Sequence, residues 1–73
     1  MFEKVKEVLV EELQINPDDV TMEANLSKDL NVNSIEFYEL MDRFEEKLGV
    51  QIPEDATDNF ETVGDVVEFL ENL

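Results

Sequence analysis

The sequence contains no cysteine and no histidine among its 73 residues. Without cysteine, the chain has no disulfide framework, no thiol nucleophile and no thiolate metal site. Without histidine, it lacks the commonest general base and the commonest transition-metal ligand. The calcium-loop pattern of EF-hand proteins is also absent. We therefore expect a protein that is not an enzyme and that has no metal site.

Positive charge is scarce. Five Lys and Arg residues face twenty Asp and Glu residues, which gives a net charge of −15 at pH 7. Such a chain would repel nucleic acid and anionic membranes, whereas basic protein surfaces would attract it. The hydrophobic fraction of 42% exceeds that of a disordered acidic tail, so the chain is predicted to fold.

Long apolar runs are missing as well, and the mixed-charge segment 1–7 has no signal-peptide core. The length suits one domain, 1–73. From these features we expect a cytoplasmic protein, or one of an organelle matrix if a transit peptide was removed, with no stable membrane association. We also expect a monomer.

Helical periodicity predicts an all-α fold, a small up-down bundle of three main helices plus a short third helix, with a long first loop. The predicted helices are 2–15, 34–48, 53–60 and one that begins at Val63; the loop is 16–33. Capping-box spacings mark two helix starts, Asn33 with Glu36 and Thr62 with Asp65, and Gly49 marks a helix end.

The apolar residues at helical spacing are predicted to face inward. In the helices they are Phe2, Val5, Val8, Leu9 and Leu13; Phe37, Leu40, Met41, Phe44 and Leu48; and Val63, Val66, Val67, Leu70 and Leu73. In the loop, Val20, Met22, Leu26, Leu30 and Val32 are predicted to attach it to the core. An interior rich in Phe and Met could also open around an apolar guest.

Ser34 stands out because it follows the long loop and begins the second main helix. A serine there could simply cap the helix, or its hydroxyl could be exposed for modification. A phosphate ester at this place would meet free backbone N–H groups at a helix start. Since the chain has no histidine or cysteine, any base that activates Ser34 must come from another protein.

Four parts of the sequence, residues 20–21 with 26–30, 29–36, 44–53 and 62–67, resemble the acyl carrier protein family. Residues 29–36 (DLNVNSIE) resemble its modification motif, usually Asp-Leu-Gly-x-Asp-Ser-Leu-Asp/Glu. Residues 44–53 (FEEKLGVQIP) and 62–67 (TVGDVV) resemble two further family passages, and 20–21 with 26–30 resemble its first loop. The resemblance covers nearly the whole chain.

This resemblance implies that Ser34 receives 4′-phosphopantetheine from coenzyme A. A holo-synthase, or phosphopantetheinyl transferase, would supply the base and magnesium. The arm would carry acyl groups as thioesters in fatty acid biosynthesis. Two alternatives stay open: a carrier dedicated to a polyketide, peptide or other specialised pathway, and an acidic interaction module that stays unmodified.

The resemblance also implies two further sets of residues. The docking face for basic patches of fatty acid synthesis enzymes would comprise Asp29, Asn33, Ile35, Glu36, Tyr38, Glu39, Asp42, Glu45 and Glu46. The acyl cavity would be lined by Phe37, Leu40, Met41, Phe44, Ile52, Phe60 and Val63.

The chain departs from the family pattern around Ser34. Asn33 replaces the usual Asp and Ile35 the usual Leu, while Asn31 replaces a common Gly. Asn tolerates the left-handed backbone better than most residues, so Asn31 in place of Gly is a mild change. Phe37 and Tyr38 are bulkier than usual, and Phe37 would reduce the acyl cavity.

Overall fold

The computed structural model describes residues 1–73 and contains only helices and the loops between them. The helices are α1 (Phe2–Leu13), α2 (Ser34–Leu48), α3 (Glu54–Thr57) and α4 (Val63–Glu71), and a 3₁₀ turn covers Pro17–Asp19. The prediction of an all-α fold with three main helices, a short third helix and a long first loop is confirmed. None of these helices combines the length and the apolar character needed to cross a membrane.

Helix α1 ends two residues earlier than predicted. Gln14 adopts the left-handed conformation with φ of 54°, and its N–H donates to the Val10 carbonyl oxygen at 2.9 Å. The chain then enters the 3₁₀ turn, where the Asn16 side chain accepts a hydrogen bond of 2.9 Å from the N–H of Asp18. Apolar periodicity alone did not contain the signal for this earlier stop, because Ile15 continues the pattern beyond it.

Helix α2 has the predicted bounds, and its ends are built as predicted. The Asn33 side chain accepts a hydrogen bond of 2.8 Å from the N–H of Glu36, whose carboxylate accepts one of 3.3 Å from the N–H of Asn33. Gly49 ends the helix at φ of 66°. This reciprocal capping fixes the point at which the first loop becomes helix.

The long first loop is attached to the start of α4 by backbone hydrogen bonds. The N–H of Leu26 donates to Glu61 O at 2.9 Å, and that of Val63 donates to Ala24 O at 3.0 Å. The N–H of Gly64 donates to Met22 O at 2.8 Å. The first loop is therefore ordered and packs against the start of α4.

Sixteen buried apolar residues form one core cluster. The loop contributes Val20, Ala24, Leu26, Leu30 and Val32, and the main helices contribute Val5, Val8 and Leu9; Leu40, Met41 and Phe44; and Val63, Val66, Val67 and Leu70. Ile52, between α2 and α3, completes the cluster. A set of long-range contacts of this kind is what stabilises so short a chain.

Three further predictions of detail are wrong. Met22 is 42% exposed and Leu73 is 64% exposed, so neither belongs to the core. Met22 is held through its backbone oxygen, and Leu73 lies beyond the end of α4, where helical spacing no longer applies. Helix α3 ends at Thr57 rather than near Phe60, and the Thr57 hydroxyl donates to the Glu54 carbonyl oxygen at 2.6 Å.

Two ion pairs, Arg43 with Glu12 and Lys47 with Glu11, join α1 to the second half of α2, and a third, Arg43 with Glu46, lies within α2. Arg43 lies 3.0 Å from Glu12 and 3.3 Å from Glu46, and Lys47 lies 2.7 Å from Glu11. The hydrogen bond to Glu12 is the main cause of a raised pKa of Arg43, and the one to Glu11 raises the pKa of Lys47. Because these pairs are exposed, they orient the two helices more than they stabilise them.

Candidate functional site

Ser34 opens onto a surface groove of about 500 Å³. Its hydroxyl-bearing side chain is exposed at the first position of α2. The groove lies between the first loop, the start of α2 and the segment that links α3 to α4. It is lined by Asn25, Leu26, Ser27, Lys28, Val32, Asn33, Ser34, Phe37, Tyr38, Thr57, Phe60 and Glu61.

The groove contains both serines of the chain, and their hydroxyls differ in what they contact. The Ser27 hydroxyl donates to the Asn25 side-chain oxygen at 3.0 Å. The Ser34 hydroxyl makes no hydrogen bond within the chain, and the same holds for the backbone N–H groups of Ser34 and Ile35. Ser34 is therefore the serine whose oxygen is free to react and whose surroundings can accept an anion.

Asn25 organises the loop wall of the groove. Its side-chain oxygen accepts hydrogen bonds from the N–H of Ser27 at 3.0 Å and from that of Lys28 at 2.9 Å. Its own N–H donates to the Asp29 carboxylate at 2.7 Å. Sequence reasoning missed Asn25, although an Asn directly before a short helical turn is a capping signal.

Asn31 turns the chain from this wall into α2. Its φ is 58°, a left-handed conformation at the position where the family pattern has glycine. The N–H of Val32 then donates to Leu26 O at 2.9 Å. This short segment, closed by the Asn33 cap, is what places Ser34 at the mouth of the groove.

The residues predicted to line an acyl cavity fall into two groups. Phe37 and Phe60 are half-buried and line the groove. The other five are buried in the core cluster: Leu40, Met41, Phe44, Ile52 and Val63. The groove also has walls that the sequence did not indicate, among them Thr57, whose hydroxyl faces its own helix.

The residues predicted to form a docking face all lie on or beside α2, but their side chains differ in availability. Ile35 is 71% exposed and Tyr38 is 56% exposed, so both present apolar surface in the first turns of α2 after Ser34. Glu39 and Asp42 are exposed, and neither makes a hydrogen bond or ion pair within the chain.

The remaining docking candidates already have partners. Asp29 accepts from Asn25, Asn33 and Glu36 form the cap of α2, and Glu46 pairs with Arg43. Glu45 accepts a hydrogen bond of 2.7 Å from the N–H of Ile52. Their contribution to docking would therefore compete with contacts that hold the fold.

Comparison with known families and proteins agrees with this geometry. Residues 3–70 match the family described as "Phosphopantetheine attachment site". The chain is 41% identical over 70 residues to an acyl carrier protein of Clostridium perfringens, covering 96% of this chain and 92% of that protein. It is 40% identical over 73 residues to an acyl carrier protein of Sulfurovum, covering 100% and 97% of the two chains.

The cofactor of the family, 4′-phosphopantetheine, fits the residues present. It would need an exposed hydroxyl for its phosphate and a channel with both polar and apolar walls for its arm. The Ser34 hydroxyl supplies the first, and the groove beside it, lined by polar residues as well as by Phe37 and Phe60, supplies the second. On the family match and the relatives together, the chain belongs to the acyl carrier protein family.

Proposed function

We propose that Ser34 is the attachment point of 4′-phosphopantetheine and that the arm carries acyl intermediates of fatty acid biosynthesis as thioesters. Residues 1–73 would act as one acyl carrier domain. The observation that carries the proposal is the free, exposed hydroxyl of Ser34 at the mouth of a groove that it shares with Phe37 and Phe60. When attached, the group supplies a terminal thiol on a long flexible arm.

The chemistry of attachment requires a second protein. The Ser34 oxygen forms a bond to phosphorus while a phosphoanhydride bond of coenzyme A breaks, and adenosine 3′,5′-bisphosphate leaves. The nearby carboxylates of Asp29 and Glu36 accept hydrogen bonds from backbone N–H groups instead of from Ser34. The base that takes the Ser34 proton, and the magnesium that balances the phosphate charge, would come from the transferase.

A matched pair of serine variants tests this proposal. The purified chain is incubated with coenzyme A and a phosphopantetheinyl transferase, and its intact mass is measured. We expect one phosphopantetheine adduct on the wild type and on Ser27→Ala, and none on Ser34→Ala. Ser27 is the ideal control because it is the other serine of the same groove. An adduct that persists in Ser34→Ala, or a folded wild type that takes none, would contradict the assignment.

The proposed docking face comprises the exposed side of α2 beside Ser34. Ile35 and Tyr38 would supply apolar contacts, and Glu39 and Asp42 would supply negative charge that is free to pair with Lys or Arg. Asp29, Asn33, Glu36, Glu45 and Glu46 would form the rim of this face. Its partners would be the transferase and the basic patches of fatty acid synthesis enzymes.

The proposed shelter for the acyl chain begins at the groove. Phe37 and Phe60 would form its entrance, and the core residues Leu40, Met41, Phe44, Ile52 and Val63 would line the space that opens when an acyl chain enters. Nuclear magnetic resonance of the holo-protein with and without an octanoyl thioester tests this order. If only the resonances of Phe37 and Phe60 change, the acyl chain stays in the groove and does not enter the core.

Elongation assays distinguish fatty acid synthesis from a specialised pathway. The malonyl-loaded holo-protein is supplied to the transacylase, condensing enzyme, reductases and dehydratase of a type II fatty acid synthase. We expect successive rounds of elongation on the arm, read by mass spectrometry. Efficient loading of the arm without any elongation would favour a carrier dedicated to another pathway.

A further inference from the structure

We propose that Lys28 is the chain's own ligand for the phosphodiester on Ser34 and holds the start of the arm inside the groove. The inference rests on the proposed attachment at Ser34 and adds a positioning residue to it. Lys28 is the only basic residue among those that line the groove. A phosphodiester on Ser34 would introduce a negative charge into the same groove.

The other cations indicate why Lys28 is distinctive. Arg43 and Lys47 pair with carboxylates, and the Lys6 ammonium lies 5.9 Å from the centre of the Phe2 ring. Only Lys4 and Lys28 have an ammonium group that forms neither an ion pair nor a contact with an aromatic ring, although the chain contains twenty Asp and Glu residues. Of these two, Lys4 lies on α1 outside the groove.

The backbone around Lys28 is fixed at the groove wall. Its N–H donates to the Asn25 side-chain oxygen at 2.9 Å, inside the turn that Asn25 organises. The neighbouring Asp29, the closest acid in sequence, directs its carboxylate to the N–H of Asn25. The backbone of Lys28 is therefore fixed in position. Its ammonium group forms no ion pair within the chain, so a phosphodiester would not have to break one in order to bind it.

The electrostatic consequence is a local offset of the negative charge of the chain, because the groove lining holds one base, Lys28, and one acid, Glu61. The net charge of −15 would repel the added negative charge of the phosphodiester. This repulsion favours an arm that extends away from the protein. A single ammonium group beside the attachment point offsets this repulsion locally. Lys28 would thereby bias the arm towards the groove, where Phe37 and Phe60 lie, until a partner withdraws it.

Phosphorus resonance spectroscopy of the holo-protein tests the role of Lys28. The samples are the wild type, Lys28→Gln, Lys28→Arg and the matched control Lys4→Gln, each with the arm confirmed by intact mass. The phosphodiester resonance is recorded at low and high salt, and the reactivity of the arm's thiol towards a neutral disulfide reagent is measured. Amide spectra confirm that each variant is folded.

We expect Lys28→Gln to move the phosphorus resonance towards its value in the urea-unfolded protein and to weaken its salt dependence. The thiol should react up to about fivefold faster, in keeping with the loss of one exposed ion pair. Lys28→Arg should retain the wild-type behaviour, and Lys4→Gln should match the wild type.

Two failures are distinguishable. Identical phosphorus spectra and thiol rates in the wild type and Lys28→Gln would overturn the role of Lys28 while leaving attachment at Ser34 intact. Equal changes in Lys4→Gln and Lys28→Gln would also overturn it, because they would reflect net charge alone. A wild type that takes no arm would overturn the proposed function, and the role of Lys28 with it.

Discussion

The carboxylate of Glu45 accepts a hydrogen bond of 2.7 Å from the backbone N–H of Ile52, seven residues further along the chain. Glu45 lies in the last turn of α2, and Ile52 is the buried residue that leads into α3. The bond therefore closes the link between the two helices. Glu45, which the family resemblance assigns to partner docking, therefore makes a contact that holds the fold together.

Replacing Glu45 should first affect stability. We expect Glu45→Ala to lower the free energy of unfolding by about 1–2 kcal/mol, because the half-buried N–H of Ile52 would lose its acceptor. Glu45→Gln keeps an acceptor oxygen and should lose less. Urea unfolding followed by circular dichroism measures the difference, with Glu39→Ala as the control, since the exposed Glu39 side chain makes no hydrogen bond or ion pair within the chain. Equal losses in Glu39→Ala and Glu45→Ala would contradict the structural role.

Gly64→Ala should destabilise the protein although Ala is the better helix former. A Cβ atom at Gly64 would lie 2.9 Å from Met22 O, the oxygen that accepts the N–H of Gly64. Because the obstructing atom belongs to the backbone, the first loop would have to move away from α4. We expect a loss of about 1–3 kcal/mol, measured by thermal or urea unfolding.

Gly49 provides the comparison for this prediction. A Cβ atom at Gly49 would meet nothing within 4 Å, but φ is 66°, which an L-residue rarely adopts. We expect Gly49→Ala to cost about 1 kcal/mol through backbone conformation alone. Gly49→Asn should recover part of that loss, whereas Gly64→Asn should recover none.

Acid should weaken the cap of α4. Two backbone N–H groups, those of Glu61 and Thr62, each donate to the Asp65 carboxylate at 3.0 Å. These bonds, that from Glu61 first, lower the pKa of Asp65. Since the folded pKa is depressed, the contribution is fully present above the ordinary Asp pKa and is lost as pH falls through the folded pKa.

Asp65→Asn isolates this effect from the general loss of charge. The wild type should be more stable than Asp65→Asn at neutral pH, by up to about 1 kcal/mol, and the two should converge in acid. Asp58→Asn removes one charge from the same segment, where Asp58 makes no side-chain hydrogen bond, and should show no such convergence. A stability difference between wild type and Asp65→Asn that is constant with pH would refute the prediction.

Association with a basic partner should depend mainly on the two uncommitted acids of α2. We expect the double variant Glu39→Gln with Asp42→Asn to associate more slowly with the phosphopantetheinyl transferase, by about tenfold at low salt, and the difference to shrink at high salt. Surface plasmon resonance over a range of ionic strength measures the rate constant. Glu54→Gln with Asp58→Asn, an equal loss of charge away from α2, is the control.

Helix starts were the most predictable part of this molecule, because they depend on local chemistry. Asn33 with Glu36, and Thr62 with Asp65, form the capping boxes that their spacing predicts, and Ser34 consequently lies at the predicted first position of α2. The left-handed conformation of Asn31 agrees with the tolerance of Asn for that backbone.

The groove was less predictable, because residues distant in sequence build it. Asn25 and Lys28 acquire their position from the turn that Asn25 organises and from backbone bonds between the first loop and the start of α4. No short-range pattern indicates that Phe60 and Ser27 share a cavity, or that Glu45 contacts Ile52. Such pairings depend on how the loop packs across the helices.

The distribution of charge gives the molecule a direction. Four of its five cations, Lys4, Lys6, Arg43 and Lys47, lie on α1 and the second half of α2, whereas residues 49–73 carry seven acids and no base. Thr57, Phe60 and Glu61, which border the groove, belong to this acid-rich segment. A positively charged surface therefore attracts segment 49–73 more strongly than it attracts α1, and this difference biases the orientation in which the protein approaches.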